Sequence, residues 1–494
     1  MAAKGGGITF VGTLIDYALR LVLGIVVARL LGSEQFGLYS LAESGAAIAG
    51  GFALLGLPAA MVRYVSLFNS RRNAERVWGT LQIGIGAATI LGVLVAISLY
   101  VLADPIAEQL FHEPRLAPLL RLLSPMVPLL SLNNIVAAAT QGFKKMQYAA
   151  IGTMARPLIK LVLIAMLAIG GLNATEALTA HMLAMVVVSV MLLCFLNQLF
   201  SLKRPLRTNW HDIKMIFTYA LPLYLTKLIS TFRGNVQTVL LGALDTVTTI
   251  GVFSVATSVH RMGRLFHSSI ATASGPIVSE LYGRRDWEQL ERLYQTMTRW
   301  TLTLNMPLFL IMLLFPKQIL SIFGQSFVDG AAVLTILAWS DFVKMGTGIG
   351  GVVINMTGRV RLKVLNTVVV STLVLGLNFL FIPRWGIIGA ATAVLVVSVV
   401  RESLPLVETF ILFRLLPYNA SFLKPIAAGL AAGATTLALN RLLSPETSLV
   451  YTVVNAVVLV AVYVGIVLLL GISDEDRAVL ARLRGRAGHM FLRR

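Results

Sequence analysis

Acidic side chains are scarce in this 494-residue sequence, which has 22 Asp and Glu against 41 Lys and Arg and only 13% charged residues. With 57% apolar residues, the composition excludes a chain made only of ordinary soluble domains. The single cysteine, Cys194, excludes an internal disulfide and a cysteine-based metal site. No HExxH, P-loop or nucleophile-elbow motif occurs, so ATP hydrolysis and acyl transfer have no support. We predict that the protein is not an enzyme and has no cofactor.

Long apolar segments recur along the whole chain, and each is long enough to cross a hydrocarbon core of roughly 30 Å as a helix. We therefore predict an all-α polytopic membrane protein with about 14 transmembrane helices. The predicted spans are residues 8–31, 38–66, 79–103, 118–141, 149–171, 177–201, 214–243, 249–281, 293–315, 329–355, 363–383, 386–413, 421–441 and 449–472.

The turn between the first two spans returns later in the chain. EQFGLYSLAES after Ser33 matches TTIGVFSVATS from Thr248, at an offset of about 214 residues that pairs Gly37 with Gly251. The sequence therefore predicts two parallel six-helix repeats, an N-lobe at 1–201 and a C-lobe at 202–414. Two further helices follow at 415–472, and then a basic tail at 473–494.

Within this turn, each small or polar residue has an expected role. Gly32 can end the first helix, Ser33 can cap the second, and Gly37 allows a close approach between helices.

Basic residues are concentrated in the loops on one side of the predicted membrane. Roughly 24 Lys and Arg lie on the side of the N-terminus and roughly 4 on the other, so the positive-inside rule predicts that both termini are cytoplasmic. The net charge of +19 then matches anionic membrane lipids as partners rather than nucleic acid.

About thirteen basic residues fall inside predicted spans, where each charge costs a few kcal/mol. Those near span ends can extend to the interface. Eight lie nearer span centres: Arg20, Arg156, Lys160, Lys227, Arg233, Arg264, Lys344 and Arg401. The acids at comparable depth are fewer: Asp16, Glu43, Asp341 and Glu402.

Helical spacing predicts two of the charge pairs. Asp16 and Arg20 are four residues apart, and Asp341 and Lys344 are three apart, so each pair shares a helix face. Pairing off the acids in this way still leaves an excess of positive charge.

Two further sets of basic residues each lie along one face of their own helix. Arg156 and Lys160 are like charges four residues apart, and His260, Arg264 and His267 form the second stripe. Like charges on one face repel unless an anion lies between them. The stripes therefore predict an anion-binding cavity, with scattered structural ion pairs as the alternative.

The full candidate site follows from these arguments. The residues predicted to bind an anionic substrate are Arg20, Arg156, Lys160, Lys227, Arg233, His260, Arg264, Lys344 and Arg401. The predicted charge partners or coupling residues, for proton or sodium exchange, are Asp16, Glu43 and Asp341.

Several motifs resemble one transporter family. ARLLGSEQFGLYSLAES, the helix ending LGLPAAMVRYVS, and the turns QGFKKMQYAAI and NMTGRVRLKVLN are similar to polysaccharide flippases of the Wzx/PST type. These belong to the multidrug, oligosaccharidyl-lipid and polysaccharide exporter superfamily. The resemblance implies V-shaped six-helix lobes in a bacterial inner membrane. It also implies flipping of an undecaprenyl-pyrophosphate-linked oligosaccharide to the outer leaflet, beside glycosyltransferases or a polysaccharide polymerase.

Three other functions stay open. A MurJ-type lipid II flippase would share the helix count and a cationic cavity, and a cation-coupled multidrug antiporter would share the scaffold. A membrane enzyme would need a catalytic outer loop. Asp104, Glu108, His112 and Glu113 lie close together there, but a solvated helix–turn segment explains them better.

Overall fold

The computed structural model describes residues 2–201, 209–442 and 449–471. The predicted basic tail and the loop cations Lys203, Arg204 and Arg207 lie outside this part of the chain. Its helices are α1 (Ala2–Ala53), α2 (Leu57–Ser70), α3 (Ala74–Val101), α4 (Ala103–Pro105), α5 (Leu116–Leu123), α6 (Met126–Gly142), α7 (Met146–Leu167), α8 (Ala174–Leu199), α9 (Trp210–Leu244), α10 (Val247–His260), α11 (Leu265–Arg284), α12 (Trp287–Leu314), α13 (Pro316–Ser321), α14 (Ala331–Thr347), α15 (Gly350–Met356), α16 (Val360–Phe413), α17 (Leu423–Leu442) and α18 (Leu449–Leu469).

Two of the long helices are broken by a glycine. α1 leaves helical geometry at Gly32 (φ 70°, ψ 175°), and α16 does so at Gly386 (φ 53°, ψ −132°). Both φ values lie in the left-handed region, which glycine adopts without the steric cost of a Cβ. The predicted end of the first span at Gly32 is confirmed.

The all-α membrane fold is also confirmed. Among the described residues, ten helices are long and apolar enough to cross a membrane, or up to eleven if the bent pair α1–α2 is one span. Dividing α16 at Gly386 separates the predicted spans 363–383 and 386–413. The predicted span 249–281 lies on α10 and α11, which are joined by a 3₁₀ turn at Arg261–Arg264 and are not among the ten.

The helices pack into two compact units. Unit 1 comprises Met1–Ser258, Ile322–Asp329 and Leu375–Ala390, and unit 2 comprises the segments Val259–Ser321, Gly330–Val374 and Ala391–Arg494. The lobe boundaries proposed from the repeat stay a prediction.

Small residues allow close packing inside unit 1. A Cβ added at Gly142 would lie 2.8 Å from Val65, and one added at Gly84 would lie 2.4 Å from the Met61 sulfur. Met61 and Val65 belong to a buried cluster formed by α2, α3, α6 and α8. In a membrane, such contacts stabilise helix association through van der Waals packing, since lipid tails are as apolar as the side chains.

Unit 2 has a smaller core of the same kind. Leu290 and Tyr294 of α12 pack with Ile349 and Val353, and the Tyr294 hydroxyl donates to the Thr347 carbonyl at 3.2 Å. This contact fixes the end of α14, which carries Asp341 and Lys344.

Candidate functional site: two charge clusters

The first cluster lies in unit 1 and is centred on Lys160. The Lys160 ammonium donates to the Tyr39 hydroxyl and lies 3.2 Å from His181 Nδ1. The same His181 nitrogen lies 3.2 Å from Glu43 Oε1. Lys160, His181 and Tyr39 are buried, whereas the Glu43 side chain is 39% exposed. We call Asp16, Arg20, Tyr39, Glu43, Arg156, Lys160 and His181 the Lys160 cluster.

Three helices of unit 1 bring these groups together. Tyr39 and Glu43 are four residues apart on α1, so they share a face, and Arg156 and Lys160 share a face of α7. α1, α7 and α8 pack against one another, and α8 supplies His181. The predicted stripe of Arg156 and Lys160 therefore has carboxylate, phenol and imidazole partners on neighbouring helices.

The two contacts of His181 Nδ1 need different protonation. A hydrogen bond to the Glu43 carboxylate requires a proton on Nδ1, whereas accepting from the Lys160 ammonium requires a free lone pair there. One nitrogen cannot do both at once. The geometry therefore links the partner of Lys160 to the proton on His181.

Arg20 and Arg156 complete the first cluster. Arg20 Nε donates to Asp16 Oδ2 at 2.8 Å, which confirms the spacing argument for this pair. Arg156 is within electrostatic reach of Arg20, Asp16 and Glu43. Its buried Nε has no hydrogen-bond partner in the described part of the chain.

The second cluster lies in unit 2 and is centred on Asp341. His260 Nδ1 lies 2.8 Å from Asp341 Oδ2, and both side chains are buried. Arg264 Nη2 lies 3.1 Å from His260 Nε2. We call His260, Arg264, His267, Asp341, Lys344, Arg401 and Glu402 the Asp341 cluster.

These contacts fix the tautomer of His260. A guanidinium can only donate, so Nε2 accepts from Arg264 and the single ring proton lies on Nδ1, facing Asp341. Gly263 permits this arrangement, because a Cβ there would lie 2.5 Å from Asp341 Oδ2. The predicted stripe of His260 and Arg264 is thus a hydrogen-bonded pair held by a buried carboxylate.

The remaining cations of this cluster are Lys344 and Arg401. Arg401 Nε donates to Glu402 Oε1 at 2.9 Å, and its Nη2 lies 3.4 Å from the Ser398 hydroxyl. Lys344 is within electrostatic reach of Glu402, Arg264, Arg401 and Asp341. In the described part of the chain, the ion-pair partner of Asp341 is His260 from another helix and not the predicted Lys344.

Two further predicted site residues, Lys227 and Arg233, lie on α9. Lys227 is exposed and Arg233 is half-buried. Sequence reasoning also missed members of the site. His181 was detectable as an ionisable side chain within an apolar span. Nothing in the spacing indicated that Tyr39, Lys160 and His181 would meet.

The acidic segment before α5 is explained by ion pairs. Arg115 donates to Glu113 through Nε at 2.7 Å and to Glu34 through Nη1 at 2.7 Å, and Arg121 pairs with Asp104. The hydrogen bond from the Arg115 guanidinium holds the pKa of the Glu113 carboxyl below its usual range. No group of three or more metal-ligating side chains that could hold an ion occurs among the described residues.

Comparison with known proteins places this arrangement in context. The family model described as polysaccharide biosynthesis protein matches residues 2–282, more than half of the chain, and the MatE model matches residues 222–382. Stage V sporulation protein B of Bacillus subtilis (strain 168) is 24% identical over 421 residues, covering 79% of this chain and 80% of that protein.

Capsular polysaccharide biosynthesis protein CapF of Staphylococcus aureus is 24% identical over 202 residues, which is 40% of this chain and about half (51%) of CapF. Among solved structures, the lipid II flippase MurJ in an inward closed conformation has a TM-score of 0.77 at 13% identity, with 93% of this chain and 98% of MurJ covered. At this identity the likeness concerns the fold alone.

Proposed function

Because the chain belongs to the polysaccharide biosynthesis protein family, whose members here are flippase-type transporters, we propose that its cargo is an undecaprenyl-pyrophosphate-linked oligosaccharide. It carries this glycolipid from the cytoplasmic to the outer leaflet by alternating access. The observation that supports this cargo is the excess of cations in each cluster. The Lys160 cluster has three cations, Arg20, Arg156 and Lys160, and two carboxylates, Asp16 and Glu43.

The cations of the Asp341 cluster are Arg264, Lys344 and Arg401, and its carboxylates are Asp341 and Glu402. Each cluster thus has three permanent or ammonium cations for two carboxylates. Charged groups within membrane spans are costly unless they are paired or serve a ligand. The net positive charge of these described side chains in each cluster favours an anionic cargo and disfavours a cationic drug.

A pyrophosphate suits these side chains. Its oxygens accept several charge-assisted hydrogen bonds, and the planar guanidinium presents parallel N–H groups to them. Arg156 is the best placed in unit 1, because its buried Nε has no hydrogen-bond partner among the described residues. In this proposal Arg156 and Lys160 bind phosphate oxygens in unit 1, where Arg20 adds attraction. The Asp341 cluster offers the same chemistry within unit 2.

The carboxylates and histidines orient the side chains of these cations. Glu43 and Asp341 hold His181 and His260, which in turn contact Lys160 and Arg264. A second proton on His260 would remove the acceptor of Arg264. Proton movement is therefore our preferred driving force, with sodium as the alternative.

The cellular setting follows from the same family. CapF is named for capsular polysaccharide biosynthesis, and we propose that glycosyltransferases and a polymerase act beside this protein. The distribution of loop cations favours cytoplasmic termini in a bacterial cell membrane.

A panel of cargoes in proteoliposomes tests the proposal. We expect wild-type protein to flip a fluorescent undecaprenyl-pyrophosphate oligosaccharide, measured by accessibility of the label to dithionite, and to leave a cationic dye in place. Faster movement of lipid II than of other glycans would favour the MurJ-like alternative. Efflux of the dye without flipping of the glycolipid would contradict the proposal that the cargo is anionic.

A further inference from the structure

A cavity of about 440 Å³ lies in unit 1, where the middle of α2 meets the first turns of α9. Its lining includes Arg63, Tyr64, His211, Lys214, Thr218 and Tyr219. None of these belongs to the Lys160 cluster or the Asp341 cluster. The cavity therefore has a set of basic and aromatic side chains that the transport proposal does not use.

The walls of this cavity are held in place by packing. A Cβ added at Gly56 would lie 2.2 Å from the Ala220 carbonyl oxygen, so α2 and α9 touch closely at one end. At the other end the Tyr64 hydroxyl donates to the Met215 carbonyl at 3.4 Å. The space between these two contacts is a preformed feature of the helix pair.

The basic side chains face a shared space. The Arg63 guanidinium lies 4.3 Å from the Tyr219 ring centroid, so the ring supports the face of the guanidinium and leaves its N–H edge for a ligand. His211 and Lys214 are three residues apart on α9 and share a face. The nearby Asp212 lies 4.0 Å from Arg76. Within the described residues, no carboxylate forms an ion pair with Arg63 or Lys214.

The position of the cavity indicates the membrane interface. Arg63 lies in the middle of α2, about two turns before Arg71 and Arg72, and Lys214 lies near the start of α9. Trp210 at the start of α9 is 76% exposed. Exposed tryptophan and clustered cations are typical of the headgroup region.

We propose that this cavity binds the phosphate group of an anionic membrane lipid from the predicted cytoplasmic leaflet. Arg63 and Lys214 contact phosphate oxygens, and the tyrosine rings line the glycerol or isoprenoid end of the headgroup. This goes beyond the transport function, since it requires no flipping. Two lipids carry the required chemistry: a resident phospholipid such as phosphatidylglycerol, and the pyrophosphate end of the cargo.

Native mass spectrometry of the full chain tests this site with phosphatidylglycerol and with zwitterionic phosphatidylcholine. We expect wild type to retain phosphatidylglycerol, and Arg63→Gln/Lys214→Gln to bind it about tenfold more weakly. Arg71→Gln/Arg72→Gln removes two cations from outside the cavity and serves as the matched control, with wild-type binding expected. Thr218→Trp keeps every charge but fills the cavity, so it should weaken binding as well.

Competition then identifies the source of the phosphate. If undecaprenyl pyrophosphate displaces phosphatidylglycerol, the cavity binds the end of the cargo as it enters. If undecaprenyl pyrophosphate does not displace it, the cavity binds a resident lipid. Equal retention of both phospholipids would overturn the proposal. Equal loss of phosphatidylglycerol binding in the cavity variant and the control variant would overturn it too. So would displacement of phosphatidylglycerol by inorganic pyrophosphate alone at the same concentration. Failure of transport in the cargo panel would leave this result unaffected.

Discussion

Gly37 and Gly251 meet where α1 crosses α10, and each lies against the backbone of the other helix. A Cβ at Gly37 would lie 1.8 Å from the Val247 carbonyl oxygen, and one at Gly251 would lie 2.0 Å from the Ser33 carbonyl oxygen. The repeat pairs Gly37 with Gly251, and the same offset pairs Ser33 with Val247. Equivalent residues of the two repeats thus form a near-symmetric contact inside unit 1. Tyr39 and Glu43 of the Lys160 cluster follow directly on α1.

Alanine at either glycine of this crossing is expected to separate the helices. Overpacking of this kind costs about 1–3 kcal/mol of unfolding free energy, because backbone atoms cannot move aside as a side chain would. Gly86→Ala is the matched control, since nothing lies within 4 Å of its added Cβ. Thermal denaturation of purified protein checks this. The Gly37→Ala/Gly251→Ala double variant should cost less than the sum of the singles, because one separation relieves both contacts. Strict additivity would argue against a shared crossing.

Removing the Lys160 ammonium should destabilise the protein as well as stop transport. Lys160→Met leaves Glu43 without its nearby cation. Because the Glu43 side chain is 39% exposed, solvent screens this charge and we expect a loss of about 1 kcal/mol. Adding Glu43→Gln should recover most of that stability without recovering flipping. Lys227→Met is the control for stability, since Lys227 is exposed. If the double variant transports at the wild-type rate, Lys160 does not contact cargo.

The tautomer of His260 gives a direct spectroscopic prediction. Nitrogen-15 NMR of histidine-labelled protein should show a neutral ring protonated on Nδ1, because Nε2 accepts from Arg264. Arg264→Leu/Asp341→Leu removes both the donor to Nε2 and the carboxylate beside Nδ1, and should shift the signal toward the Nε2–H form. A wild-type ring protonated on Nε2 would contradict the assigned hydrogen bonds.

The contact of Glu113 with Arg115 has a predictable pH dependence. Since the pKa of Glu113 is lowered, the stabilisation is fully present above the ordinary value of 4.5 and is lost as pH falls through the lowered pKa. Arg115→Gln should return the carboxyl midpoint toward the ordinary value in a carbon-13 NMR titration. Arg121→Gln, which affects the separate pair with Asp104, should leave it unchanged. An unaltered midpoint in Arg115→Gln would rule out this cause.

The periodic features of the fold were predictable from the sequence. Apolar length predicted the all-helical membrane architecture, and Gly32 marked a helix break because glycine alone accepts its backbone angles freely. The offset between Gly37 and Gly251 revealed the repeat. The contact between these two residues was not predictable, since a repeat gives equivalence along the chain and not proximity in space.

The candidate site was likewise predictable only in part from the sequence. The Asp16–Arg20 pair followed from helical spacing, because both residues lie on one face of one helix. The partners of Lys160 come from α1 and α8, so their meeting depends on tertiary packing. Asp341 likewise contacts His260 from α10 through a gap that Gly263 leaves open. Spacing identified the charges, and packing decided their partners.

The most direct test of the account is flipping of the fluorescent undecaprenyl-pyrophosphate oligosaccharide by Arg156→Gln and by Lys344→Gln, one variant for each cluster. Within the described part of the chain, neither side chain makes a hydrogen bond whose loss would destabilise the fold. Arg71→Gln serves as a control from outside both clusters. We predict that each cluster variant folds like wild type, as judged by size-exclusion chromatography, and flips at least about tenfold more slowly. Wild-type flipping rates in both folded variants would contradict the claim that these half-buried cations bind the pyrophosphate.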